Sequence, residues 1–494
     1  MSTPTKSIIV SKSLDENLAR MRELFNDCGD MVFGMLEPCA DFKVCLVYID
    51  NLILRQTIDM QVVAPIMEAR HALMSPGDPY EKFRKALKTA EVQDQTDFDK
   101  AMMFVMAGDM AVFVDGSDKI AIIATRGFPS RGVPDATTEM TITGTREAFS
   151  EVMRVNTVLI RRRIRDTRLK VKQMLIGKRS QTDVVLMYMD DLVRTGLLPQ
   201  IEHRLKALDV DAIPDIGVLE QLIEESWWSP FPQAETTERP DKAAASIMEG
   251  RVVIIADNSP FVLILPATLN CLYQSPDDYY QRFWIMAMLR PLRFAAGLIA
   301  VVLPGFYITA AIYHPTLLPS TLMLQLADAR QNVPFPAVFE VLLMDAAFEL
   351  LREAGTRMPR VVMGTLGVVG GLIIGQAAVE AGIVSPVVVI VVAITAISSF
   401  AIPSNSLVTG YRTVKYLVAI LSAFLGLLGF WAGILIVLIH LAGLKSFGVP
   451  YLSPFVSSDA PNTSDLKDAF FRYPARLMRR RPTFARWGQG KRMG

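Results

Sequence analysis

The sequence predicts a multidomain α/β protein joined to an all-α membrane domain: tandem-duplicated α/β cytoplasmic subdomains, then about four transmembrane helices and an amphipathic or re-entrant helix. The chain has 494 residues, 51% of them apolar, which is more than one soluble domain usually holds. Its formal net charge of +1 conceals an asymmetry, because charged residues are dense up to Arg293 and sparse from there to Lys445. Two landmarks in the first half recur at nearly one offset. Val47-Tyr48-Ile49-Asp50-Asn51-Leu52 returns as Met187-Tyr188-Met189-Asp190-Asp191-Leu192, 140 residues later, and Gly108 with Asp115 and Ser117 returns as Gly250 with Asp257 and Ser259, 142 residues later. The boundaries that follow are 1–165 and 166–290 for the two subdomains, 291–445 for the membrane domain and 446–494 for a basic cytoplasmic tail.

Taken in order, residues 1–17 carry Lys6 and Lys12 and no apolar core of about 7–15 residues of the kind a secretory signal needs, so the soluble region is expected in the cytoplasm. In each repeat the Tyr-x-Asp element ends a short apolar run, as a buried strand would. Farther on, Asp115-Gly116-Ser117 and Asp257-Asn258-Ser259 sit between Val- and Ile-rich runs and suit tight turns with positive φ. The junction from Arg161 to Arg179 holds nine basic residues offset locally by Asp166 alone. Without aromatics to stack on bases it reads as a solvated face or a contact to a partner or to lipid, and not as a nucleic-acid site.

Enzyme chemistry finds no support. Gly177-Lys178-Arg179-Ser180 resembles the end of a phosphate loop, but Lys172 stands where the loop's first glycine belongs. The four cysteines form no CxxC pair and the four histidines are scattered, so no metal or other cofactor is expected.

The first span is Phe294–Ile312, close to the roughly 20 residues that cross about 30 Å of hydrocarbon, with Pro304 as a kink site. The second is Val361–Val379, the third Val384–Pro403 and the fourth Tyr416–His440, bracketed by Lys415 and Lys445 as snorkelling cations. Gly367, Gly371 and Gly375 share one helical face, as do Gly429 and Gly433, and such faces let backbones approach closely. Phe335–Ala354 also reads as a helix, with Asp345, Glu349 and Arg352 on one stripe and Glu340 away from it. Its charges make a lipid-facing span costly; Asp345, Glu349, Arg352 and Glu340 on this helix, with Gln376 and Glu380 around the end of the second span, are the candidates for an ion pathway or coupling. Pro276, Asp277, Asp278, Tyr279 and Tyr280 would begin a rigid capped helix leading from the second subdomain into the first span. Arg290, Arg293 and the basic residues from Arg472 onward put both flanks of the membrane domain on the cytoplasmic side.

Several stretches resemble the GerA spore germination family: Ser13-Leu14-Asp15-Glu16-Asn17-Leu18, Phe113-Val114-Asp115-Gly116-Ser117, Ser130-Arg131-Gly132-Val133, Glu238-Arg239-Pro240-Asp241-Lys242, Gln274 through Tyr280, Val333-Pro334-Phe335-Pro336, Ile374 through Gly382 and Ser446-Phe447-Gly448-Val449-Pro450-Tyr451. Asp345 stands where the family usually has glutamate, and Asn51 where glycine is common. The resemblance implies a nutrient germinant receptor A subunit in the spore inner membrane, a homo-oligomer assembled with a transporter-like B subunit and a lipoprotein C subunit among membrane lipids. It further implies that this chain transduces nutrient binding into ion release. The alternatives are a stage V sporulation AF-type paralogue in an accessory channel complex and, third, a secondary transporter.

Overall fold

The computed structural model describes residues 9–39, 42–89, 91–127, 134–331, 333–357, 375–456, 466–486 and 488–492. It divides into two compact units. One comprises Met1–Glu225, Ala234–Pro266 and Ala475–Gly494, the other Ser226–Gln233 and Ala267–Pro474. The chain therefore passes between units four times, and the expected boundaries at 165, 290 and 445 do not coincide with those crossings.

The first unit holds two five-stranded antiparallel sheets of the same order. In the first, β1 (Met31–Cys39), β2 (Phe42–Ile49), β3 (Val92–Gln95), β4 (Met110–Val114) and β5 (Ile120–Ile123) run β1-β2-β4-β5-β3. In the second, β6 (Leu169–Ile176), β7 (Thr182–Met189), β8 (Glu235–Thr237), β9 (Val252–Ala256) and β10 (Val262–Leu265) run β6-β7-β9-β10-β8. The register repeats as well: Leu46 opposes Val112 as Leu186 opposes Ile254.

In the first repeat both sheet faces are covered, which is why its strands read as continuous apolar runs. Cys45, Val47 and Ile49 alternate onto the face packed by α1 (Leu14–Leu24) and α2 (Phe98–Met106). Val44 and Leu46 meet Ile66, Tyr80 and Phe83 on the other. The second repeat mirrors the first pair of helices with α3 (Met153–Arg161) and, past α4 (Ile216–Ile223), α5 (Pro240–Met248). The two turns expected to need positive φ have it, at Gly116 (81°) and Asn258 (68°), and Asn51 lies in the same region at 61°.

The basic junction is a solvated face only in part, at Arg168, Lys178 and Arg179. Arg161 is fully buried and grips Asp30 with two hydrogen bonds of 2.7 and 2.8 Å, and Lys170 donates to the Leu24 carbonyl at 2.9 Å. Arg162 and Arg163 share Glu147, Arg168 reaches Asp191, and Lys172 pairs with Glu202. The offsetting acids lie farther along the chain, so local charge counting missed them, and Arg161 and Lys170 fasten the second repeat to the first. The end of the chain is likewise more than a solvated tail. Phe484 and Ala485 are buried, Arg486 donates its backbone N–H to the Leu192 carbonyl at 2.8 Å, and Gly250 (φ 92°) leaves them room, since a Cβ there would stand 2.9 Å from Ala485 Cα.

The second unit is helical: α6 (Asp277–Tyr280), α7 (Phe283–Ile312), α8 (Ser320–Arg330), α9 (Ala337–Arg357), α10 (Pro386–Phe400) and α11 (Asn405–Gly443). Among the described residues, α7 and α11 are long and apolar enough to cross a membrane. The fourth expected span is not one straight helix, however. At Gly426 (φ 58°, ψ −133°) α11 folds back on itself, so that a Cβ at Gly429 would lie 1.9 Å from the Leu421 carbonyl oxygen and one at Gly433 3.1 Å from Val418 Cα. Residues eight and fifteen apart cannot meet in a continuous helix rising about 1.5 Å per residue. No proline or polar residue marks the reversal, and Gly426 between two leucines is its sole trace in the sequence. The third expected span is α10, capped at its start by Ser385. The second lies outside the described residues except for 375–379, and with it Gly367 and Gly371.

Candidate functional site

The charged stripe of α9 finds its partners on the first arm of α11. Asp345 accepts from the Lys415 ammonium at 2.6 Å, with both side chains about nine-tenths buried. Glu349 accepts from Arg412 at 2.6 Å and also pairs with Arg352 one turn along. Asp345, Glu349, Arg352, Arg412 and Lys415, with Tyr411, line a narrow cleft. Three cations face two carboxylates, so the cleft carries a net positive charge. Reading Lys415 as a snorkelling cation at the head of the fourth span was an error, because it is an interior partner of Asp345. Arg412 was overlooked altogether, although Arg412 and Lys415, three residues apart within an apolar region, were the available signal.

Glu340 lies elsewhere, as expected. Wholly buried, its carboxylate accepts the Ser385 N–H at 2.8 Å, and Arg330 stands 3.4 Å away. Together with the Ser385 hydroxyl, which accepts from Val388, it caps α10. Gln376 donates to Glu380 at 2.9 Å on an exposed face, and the chain then turns through Gly382 (φ 65°) toward α10. A Cβ at Gly375 would stand 3.4 Å from Val389 Cγ1. Gly429 and Gly433 pack inside the α11 hairpin.

The expected coupling segment is not one capped helix. α6 spans four residues and is separated from α7 by Gln281 and Arg282, both extended. What binds the pieces is an ion cluster. Asp278, fully buried, receives Arg293 at 2.8 Å and Arg290 at 3.3 Å. Arg290 also reaches Asp468 at 3.2 Å, and Arg472 donates to the Asp278 carbonyl at 3.0 Å while its guanidinium lies 4.4 Å from the centre of the Tyr279 ring. The Asp278 side chain thus serves arginines more than the helix terminus, and Asp468 and Arg472 are members that sequence spacing could not place there. Nearby, burial pushes the Tyr273 hydroxyl up, and it hydrogen-bonds Tyr411 at 2.7 Å.

Among the described residues no group of three or more His, Cys, Asp or Glu side chains is placed to hold a metal ion.

The family model described as Bacillus/Clostridium GerA spore germination protein matches residues 19–484. Spore germination protein KA of Bacillus subtilis (strain 168) is 38% identical over 97% of this chain and 87% of its own. Spore germination protein B1 of the same organism is 35% identical over 96% and 97%, and its uncharacterized membrane protein YfkQ is 37% identical over 98% and 93%. Among solved structures, the N-terminal domain of the A subunit of the Bacillus megaterium spore germinant receptor GerK3 matches with a TM-score of 0.43 and 25% identity, covering 54% of this chain and 99% of that one.

Proposed function

The chain belongs to the GerA family of spore germination proteins, and from that premise we propose that it is the A subunit of a nutrient germinant receptor that turns nutrient binding into ion release across the spore inner membrane. In this reading it works as a homo-oligomer with a transporter-like B subunit and a lipoprotein C subunit, and the cleft between α9 and α11 lies on the ion path. The observation that carries the reading is the double ion pairing across that cleft, Asp345 with Lys415 and Glu349 with Arg412. Carboxylates held by fixed cations cannot receive a mobile one. Moving α9 away from α11 would free both for a passing cation, at a cost that a partner subunit's rearrangement must supply. The paired state is the closed one.

Replacing Asp345 and Glu349 by their amides tests this. Complex assembly should persist while nutrient-evoked cation release falls by about tenfold or more, as expected where side-chain charge sets conduction. Ion flux equal to that of the unmodified receptor would overturn the ion-path assignment.

A further inference from the structure

Residues 226–233 lie in sequence between α4 and β8, inside the second repeat, yet they fold with the helical unit. The loop is built to hold its shape. Ser226 donates its N–H to the Gln233 side chain at 3.0 Å and accepts from it at 2.8 Å, closing the loop. Phe231 is buried, its ring 5.9 Å from His440 and 6.0 Å from Tyr411, and Ser229 Oγ is 2.9 Å from His440 Nε2. The Pro230 carbonyl sits so close to Gly410 that a Cβ there would stand 2.5 Å from it. From this anchored base two consecutive tryptophans project outward. Trp227 is 84% exposed, the highest value among the large hydrophobic side chains described, and Trp228 is 65% exposed.

We propose that this loop seats Trp227 and Trp228 in the headgroup layer of the bilayer, giving the chain a membrane attachment separate from its helices. The Trp228 ring lies 4.9 Å from His440, near the end of the second arm of α11. Just before that point Leu435, Ile436, Leu438 and Ile439 present an exposed apolar surface, and just after it comes exposed Lys445. The tryptophans stand where an apolar, lipid-facing surface gives way to a cation. Tryptophan favours that boundary because its rings leave water while the indole N–H keeps a polar partner, and a lysine at the same level attracts anionic headgroups. Continuity with the apolar surface of the hairpin favours lipid over a second protein as the occupant. The inference rests on α11 being a membrane hairpin and is independent of the ion path.

Full-length protein reconstituted into phospholipid nanodiscs provides the test. With Trp284, Trp431 and Trp487 replaced by phenylalanine, the emission of Trp227 and Trp228 should be quenched by phospholipid brominated near the headgroup at least about twofold more strongly than by phospholipid brominated near the chain end, as interfacial tryptophans are. A companion variant that keeps Trp431 alone reports whether the hairpin itself is in lipid. Quenching of the companion with none at Trp227 and Trp228 would overturn the proposal. Absence of quenching in both variants would overturn the membrane placement of α11 and the proposal with it.

Discussion

The two repeats share a hydrogen-bonded skeleton but not an interior. In the first, Asp115 accepts the Leu14 N–H at 3.1 Å, and Asn17 braces Ser11 through both its side-chain atoms. In the second, Asp257 accepts the Met153 N–H at 3.0 Å, and Asn156 braces Ser150 in the same way. Yet among the described residues Asp109 is the one buried charged side chain of the first repeat, whereas the second buries Arg161, Lys170, Glu235, Glu238, Arg239 and Arg251. Duplicated backbone chemistry fixes the fold, and the residues between those fixed points are free to diverge. The divergence is greatest in the repeat from which the chain leaves twice for the helical unit, at 226–233 and after Pro266.

The buried charges of the second repeat give the largest expected effect. Glu235 holds Arg251 at 2.6 Å and Lys242 at 2.9 Å. Burial alone would raise its carboxyl, but the two cations beside it overcome this and hold it below the usual range. Glu235→Ala removes the carboxylate held by buried Arg251, while Lys242 keeps Glu139 at 2.8 Å, and should cost about 3–5 kcal/mol. Asp109→Ala in the first repeat breaks a pair whose arginine, Arg126, is 45% exposed and can turn to water, so about 1 kcal/mol is expected. Hydrogen exchange on the full-length protein, read over β8–β10 and β3–β5 separately, measures both. Equal losses would dissolve the distinction between the two interiors.

A second contrast depends on pH. The first repeat has Phe83 five residues after the capping Asp78, and the second has Glu220 five residues after the capping Asp215. Burial first, and then the neighbouring Glu224 charge, push the Glu220 carboxyl up from 4.5 to about 7. Because the folded state takes up its proton more readily than the unfolded state, this group stabilises the repeat fully below about pH 4.5, and that contribution is lost as pH rises through about 7. Its full size is on the order of 3 kcal/mol. Protection of α4 should fall between about pH 5 and pH 8, and Glu220→Gln should flatten that slope. A slope that survives the substitution would place the titrating group elsewhere.

How far the sequence could be read follows from the range of each interaction. The repeat, the strand-turn-strand landmarks and the charged stripe of α9 were visible because each is written within a short window. The partners of that stripe, Arg412 and Lys415, lie some sixty to seventy residues away, and so were missed. The same limit hid Asp30 from Arg161 and Asp468 from Arg290. The hairpin at Gly426 failed for another reason: hydropathy averages over a window and cannot see a reversal in which every residue stays apolar. The loop carrying Trp227 and Trp228 was invisible because nothing local distinguishes a loop that stays with its repeat from one that folds with the helical unit.

The smallest effect tests the shared skeleton itself. Neither α1 nor α3 is capped by the residue before it, since Ser13 and Val152 supply no side-chain bond. The cap comes instead from the turn between two distant strands, Asp115 for α1 and Asp257 for α3, across 101 and 104 residues. Each carboxylate satisfies one free N–H and places negative charge at the positive end of the helix dipole, which together contribute about 1 kcal/mol. Because both turns are also tied by backbone bonds, Gly116 to the Lys12 carbonyl and Asn258 to that of Glu151, loss of the carboxylate should loosen the helix start without moving the turn. Asp115→Ala and Asp257→Ala should therefore reduce amide protection in 14–24 and 153–161 by amounts that agree within about 0.5 kcal/mol, as independent and equivalent caps would. A loss at Asp257 several times that at Asp115 would mean that the second repeat's buried charges lean on its cap, and that skeleton and interior have not diverged independently.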